Sequence, residues 1–480
     1  MFKKLFILIS VFTLALSGCE IKTPLNVESL QELQQPRVAV LNVYVEEGDT
    51  LAVANNLEQF LLETAEDAII EIIFDLQFDN MQAASLSINS NSTAEEIDMA
   101  LVRQREEAQE FFTSRNMAFL REHGFNIESE LYIATISHFS PHIIKTFNSL
   151  ADFERYSQNI EVLRNSRSVQ RISVMEAPRF ENRATLENPN NAPRYPMSQV
   201  RQDIGITNNT FTGRGINVGM IESGTPQAHA ELSGVTIHRG GRNNQTAHAR
   251  DVARTFVGSN GIAPGVAALH SFAAADIGNA TFVNAMNWLL QPVRNVMIIN
   301  ISWGPPFRQY SWMDAFVDFI SRNHNITFVV APGNDTGSTM TPALGFNVIS
   351  VGNSTANGNV VDRSSWGQPA GLNTRKPTIV APGTRLDTIN PPPGIADWGT
   401  SISAPVTAGV IARLMQESPW LRARPDAVKA VLIASATPVN GQAVGTWSAR
   451  AGAGVFIMNG QDRQQEMQPL FKTLREMVIM

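Results

Sequence analysis

Short, continuous runs of apolar residues constrain the fold of this chain more than any other feature. Ile216–Ile221 is such a run, bounded by glycines, and Val296–Trp303 is another. Strands buried on both faces of a parallel sheet have this pattern, because helices cover each face. Thr281–Leu290 and Ala404–Met415 have the pattern of helices, and the second is rich in Ala and Gly. These residues predict an α/β domain with a buried parallel sheet.

The length and charge of the chain limit its organisation and its partners. A chain of 480 residues is too long for one ordinary core, so we expect two or more domains. The net charge of −7 argues against nucleic acid as the main partner.

The first residues predict a targeting segment. Lys3 and Lys4 precede Leu5–Leu16, an apolar run too short to cross a bilayer comfortably. The next residues, Ser-Gly-Cys19, resemble a bacterial lipobox, and Cys19 is the single cysteine. We expect cleavage before Cys19 and a lipid anchor on its sulfur, in the bacterial cell envelope and outside the cytoplasm. Glu20 weakly favours the outer membrane, and a plain signal peptide is the alternative.

Residues 68–176 predict a second domain, of the α+β class. Its strands and helices follow the order β-α-β-β-α-β of a ferredoxin-like split unit. The predicted elements are strands at Ala68–Phe78, Glu130–Ser137, His142–Asn148 and Val169–Glu176, and helices at Ala94–His123 and Leu150–Asn165. Ala177–Pro196 is rich in Pro, Asn and Arg without periodicity, which predicts an exposed linker that proteases can cut.

Ser401 lies in the segment Gly-Thr-Ser-Ile-Ser-Ala-Pro, at the predicted junction between a Pro-rich loop and a helix. A serine there can cap the helix through its side-chain oxygen. It can also act as a nucleophile, because backbone N–H groups and the helix dipole stabilise a nearby oxyanion. The short segment alone leaves both interpretations open.

Several motifs, in one order, resemble those of the subtilisin-like serine proteases. Gly-Thr-Ser-x-x-x-Pro resembles the family's nucleophile segment, with Ser401 as nucleophile. Gly215–Gly224 resembles the strand that ends in the catalytic Asp and places Glu222 there. Thr246–Gly258 resembles the start of the histidine helix and places His248 on the catalytic His. Thr327–Gly337 resembles the segment whose Asn donates to the oxyanion, which is Asn334 here.

The resemblance implies a three-layer αβα fold with a mostly parallel sheet, and a serine endopeptidase that acts on proteins or peptides. Ser302, Trp303 and Gly304 stand where the family has an edge strand that pairs with substrate backbone. Ala331, Pro332 and Gly333, just before Asn334, are further substrate-binding candidates. The chemistry needs no metal. Family members often bind structural Ca²⁺, but no Asp-rich loop identifies a site in this sequence.

Three residues depart from the family pattern. Glu222 is one methylene longer than Asp, and Ala249 and Arg250 replace the usual Gly-Thr pair. Arg250 is expected either to crowd the cleft or to point outward toward an acidic substrate group. Asp251 is the alternative carboxylate for orienting His248. These departures favour, as the second hypothesis, a degenerate protease that still binds peptides.

The α+β domain resembles the family's prosegment, an intramolecular inhibitor that packs its sheet on the catalytic domain. An unrelated binding domain of the same topology is the alternative. We expect self-cleavage in the linker. The resulting division of the chain is a signal peptide at 1–18, a tether at 19–36, a prosegment-like domain at 37–176, the linker at 177–196 and a catalytic domain at 197–480.

Overall fold

A computed structural model gives the structure of the chain. It describes residues 40–44, 68–78, 86, 88, 91–123, 134–164, 166, 168–176, 194–206, 210–274, 278–305, 308–337, 339–368, 374–390, 399–439, 442–443 and 445–455. All of the described residues belong to one compact unit. The predicted signal peptide, the tether, Cys19 and most of the linker lie outside the described residues. No helix within these ranges is long and apolar enough to cross a membrane.

A seven-stranded, fully parallel sheet forms the centre of the larger domain, which confirms the predicted α/β class. The strands are β6 (Asn217–Glu222), β8 (Ile237–Gly241), β10 (Ala268–Ala273), β11 (Val296–Ile301), β12 (Thr327–Val330), β13 (Ile349–Ser354) and β14 (Ile379–Pro382). Their order in the sheet is β14-β13-β12-β11-β6-β10-β8. Two short strands, β7 (Thr225–Pro226) and β9 (Gln245–Thr246), pair with each other outside this sheet.

Helices cover both faces of the sheet and complete the three layers. One face packs against α3 (Met197–Asp203), α4 (Ala247–Val257), α7 (Thr400–Glu417) and α8 (Pro425–Ser435). The other face packs against α5 (Asn279–Leu289) and α6 (Trp312–His324). The sequence analysis did not predict α3, α6 or the edge strand β8.

Burial on two faces explains why the strands read as continuous apolar runs. In β6, Val218 and Met220 belong to the core on the α4 and α7 side, whereas Ile221 belongs to the core on the α5 and α6 side. In β11, Ile298 faces the first core and Ile299 the second. Because both faces exclude water, neither strand has the alternation of a half-exposed one.

The N-terminal domain has the predicted order of elements, preceded by an edge strand that the alternation of apolar and polar residues at Val38–Glu46 predicts. They are β1 (Val40–Tyr44), β2 (Ile70–Leu76), α1 (Ala94–Glu122), β3 (Ala134–Ile136), β4 (His142–Phe147), α2 (Leu150–Arg164) and β5 (Val169–Glu176). The antiparallel sheet has the order β1-β5-β2-β4-β3. Without β1, this is the order of a ferredoxin-like sheet.

The sheet of the N-terminal domain is also buried on both faces. Ile70, Ile72 and Phe74 of β2 pack with the domain's own helices. Between them, Ile73 packs against α5 and α6 of the larger domain, together with Ile144 of β4. The two domains therefore share an apolar core across the outer face of this sheet.

Glu71 of β2 adds a polar contact at the centre of this interface. Its carboxylate accepts hydrogen bonds from the backbone N–H of Asn279 at 2.7 Å and of Ala280 at 3.2 Å. These are the first residues of α5, whose N-terminus favours a negative charge. Burial raises the pKa of Glu71, whereas the hydrogen bonds from Asn279 and Ala280 lower it. A residue of the N-terminal domain thus caps a helix of the larger domain.

Helix α1 extends the interface to a second area. Near its start, Asp98 pairs with Arg422, whose Nη1 lies 2.9 and 2.8 Å from the two carboxylate oxygens. Ile97 and Leu101 pack there against Ala423. Helix α1 has 29 residues and is about 43 Å long, so it is long enough to extend from the area around Glu71 and α5 to the area around Arg422.

The larger domain begins within the predicted linker. Tyr195 forms a parallel bridge with Leu386, and its N–H donates to the carbonyl of Arg385 at 2.6 Å. The last residues of the predicted linker are therefore bound to the larger domain.

Candidate active site

The candidate residues lie at the carboxyl ends of neighbouring parallel strands. Glu222 is the last residue of β6, Ser302 follows β11, and Asn334 lies four residues after the end of β12. After β6 the chain forms β8 and β10 on one side, and after β11 it forms β12, β13 and β14 on the other side. Open α/β sheets bind ligands at such a reversal, beyond the carboxyl ends of the strands.

Glu222 and His248 are in hydrogen-bond contact. Nδ1 of His248 lies 2.9 Å from Oε2 of Glu222. The Glu222 side chain is 1% exposed, and that of His248 is 20% exposed. Among the described residues, Oε1 of Glu222 is buried without a hydrogen-bond partner. One carboxylate oxygen is thus directed at the imidazole, and the longer side chain still reaches the ring.

The start of helix α4 positions His248. Thr246 is the N-cap, and its hydroxyl accepts from the N–H of Ala249 at 3.2 Å. This cap fixes the first turn, in which His248 is the second helical residue. With Nδ1 bonded to Glu222, Nε2 is the ring nitrogen that can exchange a proton with a reacting group.

Ser401 is the second residue of α7 and lies in its first turn. The helix begins at Thr400, four residues earlier than predicted, and Gly399 is its N-cap. The capping interpretation of Ser401 is therefore wrong. The Ser401 hydroxyl donates to the carbonyl of Ser302 at 3.3 Å, and the Ser302 hydroxyl donates to the carbonyl of Ser401 at 2.7 Å. First-turn N–H groups have no intrahelical acceptor, so the N–H of Ser401 suits an external anion.

Asn334 is oriented by the same helix start. Its Oδ1 accepts from the Thr400 N–H at 3.0 Å and lies 3.2 Å from the Thr400 hydroxyl. Because the oxygen is held on this side, the amide nitrogen is directed elsewhere as a donor. Gly399 has φ 64°, and a Cβ there would lie 2.3 Å from Asn334 Oδ1. The sequence analysis assigned no role to Gly399 or Thr400, although both stand in the serine motif.

The strand predicted at Val296–Trp303 ends at Ile301, just before the segment 302–304. Ser302 is buried and bonded to the Ser401 region, as described above. The ring of Trp303 stacks on Phe282 with centroids 6.4 Å apart. Gly304 lies close to the carbonyl of Thr341, which a Cβ would approach to 2.3 Å. The pairing of 302–304 with substrate backbone stays a prediction.

The backbone of residues 331–333 makes several bonds within the protein. The N–H of Ala331 donates to the carbonyl of Ile301 at 2.9 Å. The carbonyls of Pro332 and Gly333 accept from the N–H groups of Met340 and Ser365, each at 3.0 Å. These bonds fix the approach to Asn334.

Arg250 adopts neither of its two expected positions. Its Nε donates to Asp251 at 2.8 Å, and its Nη2 donates to the carbonyl of Asn390 at 2.5 Å. The side chain is 13% exposed. Asp251, the alternative carboxylate for His248, also accepts from the backbone N–H of Asn390 at 2.7 Å. The two residues connect α4 to the segment before the serine motif.

The carboxyl-end edge of the sheet thus carries the Ser401 hydroxyl, the His248 imidazole held by a carboxylate, and amide donors. Such a set suits nucleophilic attack on a carbonyl group, with the imidazole as proton acceptor. Within the part of the chain that the structure describes, no group of three or more His, Cys, Asp or Glu side chains is placed to hold a metal ion.

Comparison with known proteins gives a family match over half of the chain. The Subtilase family (peptidase S8) model matches residues 213–454, which include Glu222, His248, Asn334 and Ser401. Serine protease AprX of Bacillus subtilis (strain 168) is 27% identical over 275 residues, or 46% of this chain and 61% of that protein. Subtilisin-like protease 10 of Arthroderma otae is 26% identical over 274 residues, or 51% of this chain and 65% of that protein.

The chain thus spans just over three fifths of the length of these curated relatives. Among solved structures, the Prenylagaramide maturation protease PagA is 24% identical. The alignment covers 54% of this chain and 94% of that chain, with a TM-score of 0.44.

The contact between Gly399 and Asn334 generates a prediction. In Gly399→Ala the new methyl group should displace the Asn334 side chain and lower kcat/KM for peptide hydrolysis by on the order of a hundredfold, as loss of an oxyanion donor does. In an Asn334→Ala background the clash is absent, so the same substitution should cost far less. Backbone strain at φ 64° is common to both backgrounds. Equal losses of kcat/KM in the two backgrounds would show that Gly399 acts independently of Asn334.

Proposed function

The chain belongs to the subtilase family, and we propose that it is a serine endopeptidase with Glu222, His248 and Ser401 as its catalytic triad. The observation that carries the proposal is the 2.9 Å contact between His248 Nδ1 and the buried Glu222 carboxylate. Ser401 lies at the same edge of the sheet as this contact, and it stands at the N-terminus of a buried helix. A Glu in the place of the family's Asp is compatible with the role, because it reaches the imidazole.

In the proposed mechanism, Ser401 Oγ attacks the carbonyl carbon of the scissile peptide bond while His248 Nε2 takes its proton. Glu222 accepts from Nδ1–H and stabilises the imidazolium. The oxyanion is bound by the Asn334 amide and the Ser401 N–H. The intermediate collapses, the amine leaves with the proton from His248, and an acyl-enzyme remains. Water then attacks this ester with His248 again as base, which releases the carboxylic acid and restores Ser401.

An active-site serine probe tests this function. A fluorophosphonate should label the folded protein, and Ser401→Ala should abolish the labelling together with peptide hydrolysis. Ser403→Ala is a matched control, because Ser403 lies in the same helix and bonds to Asn353. Absence of labelling in folded, processed wild type would favour the second hypothesis, a peptide-binding protein without efficient catalysis.

Glu222 is predicted to orient His248 through its charge and its length. Glu222→Gln should fold and bind substrate but lower kcat by orders of magnitude, since the amide favours the wrong imidazole tautomer. Glu222→Asp should also be slower, because it withdraws the carboxylate by about one bond length and small misplacements are costly. Steady-state kinetics with melting curves measures both. A wild-type kcat in Glu222→Gln would show that Glu222 does not orient His248. A higher kcat in Glu222→Asp would show that the longer side chain lowers turnover.

We also propose that the N-terminal domain is a prosegment that inhibits the catalytic domain before cleavage. The support is its ferredoxin-like topology, the apolar core that its sheet shares with α5 and α6, and the Glu71 cap on α5. The sequence before it supports a lipid anchor on Cys19, in the cell envelope, because the lone cysteine ends a lipobox-like segment. Cleavage in the linker would then separate the anchored part from the enzyme.

The prosegment proposal predicts that the protein cleaves itself in the linker and that this cleavage requires Ser401. Wild type should yield a fragment of roughly 290 residues, because exposed linkers are the preferred sites of cleavage. Ser401→Ala should remain full length and membrane-bound. Fractionation with antibodies to both halves measures this. Equal cleavage of Ser401→Ala at the same site would assign maturation to another protease, and an uncut, active wild type would contradict the prosegment role.

A further inference from the structure

One residue of the segment before the serine motif is held at both of its backbone polar groups. The N–H of Asn390 donates to Asp251 Oδ2 at 2.7 Å, and its carbonyl accepts from Arg250 Nη2 at 2.5 Å. Arg250 Nε donates to the other oxygen of Asp251 at 2.8 Å. We call Arg250 and Asp251 the Asn390 clamp. The arginine and the carboxylate are bonded to each other, and together they hold the two peptide units on either side of the Asn390 Cα through charge-assisted hydrogen bonds, which are stronger than neutral ones.

The next turn of α4 continues these contacts along the same segment. Arg254 Nη1 donates to the carbonyl of Thr388 at 2.8 Å, and Nη2 lies 3.4 Å from that of Asp387. Glu231 holds the Arg254 guanidinium with two bonds of 3.0 and 3.2 Å. Backbone carbonyls of three residues in 387–390 are therefore bound by arginines of one helix. Such extensive use of buried charge is costly unless each group is paired, as it is here.

The position of the clamp connects it to the reacting groups. His248 is in the first turn of α4, two and three residues before the clamp, and Asn390 is nine residues before Gly399, the N-cap of the helix that carries Ser401. Rates depend steeply on the relative placement of nucleophile and base. The segment 387–390 is bound to the histidine helix and precedes the serine helix in the chain, so holding it can limit that placement.

We propose that Arg250 and Asp251 are positioning residues, which hold the chain leading to Ser401 against the helix of His248. Arg250 then contributes to turnover without touching substrate, although it departs from the small residue expected from the family motif. This inference rests on the proposed function, because it concerns the rate of that reaction.

Hydrogen exchange tests the clamp without any requirement for activity. In a Ser401→Ala background, Arg250→Ala should accelerate amide exchange in the peptide that contains Asn390, whereas Arg214→Ala should not. Arg214 is a matched control because its side chain is exposed on the surface of the same domain. Arg250→Lys keeps the charge but cannot make the paired bonds, so we expect exchange between those of wild type and Arg250→Ala. Unchanged exchange in Arg250→Ala would overturn the clamp.

Kinetics tests its effect on the reaction. In active enzyme, Arg250→Ala should lower kcat on the order of tenfold to a hundredfold through misplacement of the reacting groups, with KM nearly unchanged. Arg250→Lys should recover part of kcat, and melting temperatures separate this effect from loss of folded protein. A raised KM with unchanged kcat would assign Arg250 to substrate binding instead, and unchanged kcat with faster exchange would overturn the positioning role. If wild type hydrolyses no peptide, the proposed function fails, and the exchange experiment still decides the clamp.

Discussion

Burial of the parallel sheet on both faces is the constraint on which the rest of the structure depends. The side chains of β6 and β11 divide between two cores, so neither strand can shift by one residue without moving its apolar side chains to the opposite face. The register of β6 with β10 and β11 then fixes where these strands end. Glu222 and Ser302 are brought to one edge by apolar packing that involves neither of their polar groups.

Much of this arrangement could be predicted from the sequence, because buried strands and the serine, histidine and carboxylate motifs are local patterns. Helix α6 could also have been predicted, because Trp312, Phe316 and Ile320 recur at four-residue intervals. Strand β8 was not, because Ile237–Gly241 has little apolar character and owes its conformation to pairing with β10.

Contacts between distant segments account for what the motifs did not reveal about the site. The sequence places Thr400 beside Ser401, but its hydrogen bond to Asn334 joins residues 66 positions apart. The direction of Arg250 depends in the same way on Asn390, which is 140 residues away. The motif identified a cation near His248, and only the fold shows that protein acceptors hold it. A local pattern predicts which groups are present, whereas their orientation is set by tertiary partners.

The contact of Glu71 with α5 lies close in the chain to the strand that pairs with the strand of Glu222. Helix α5 begins at Asn279, five residues after Ala274, whose N–H donates to the carbonyl of Glu222 at 2.7 Å. Strand β10, which precedes Ala274, pairs with β6 as far as Ala273 and Glu222. By capping α5, Glu71 stabilises the element that follows this pairing. The N-terminal domain therefore contacts the helix that follows β10, the strand paired with the strand of Glu222, from a position outside the candidate site.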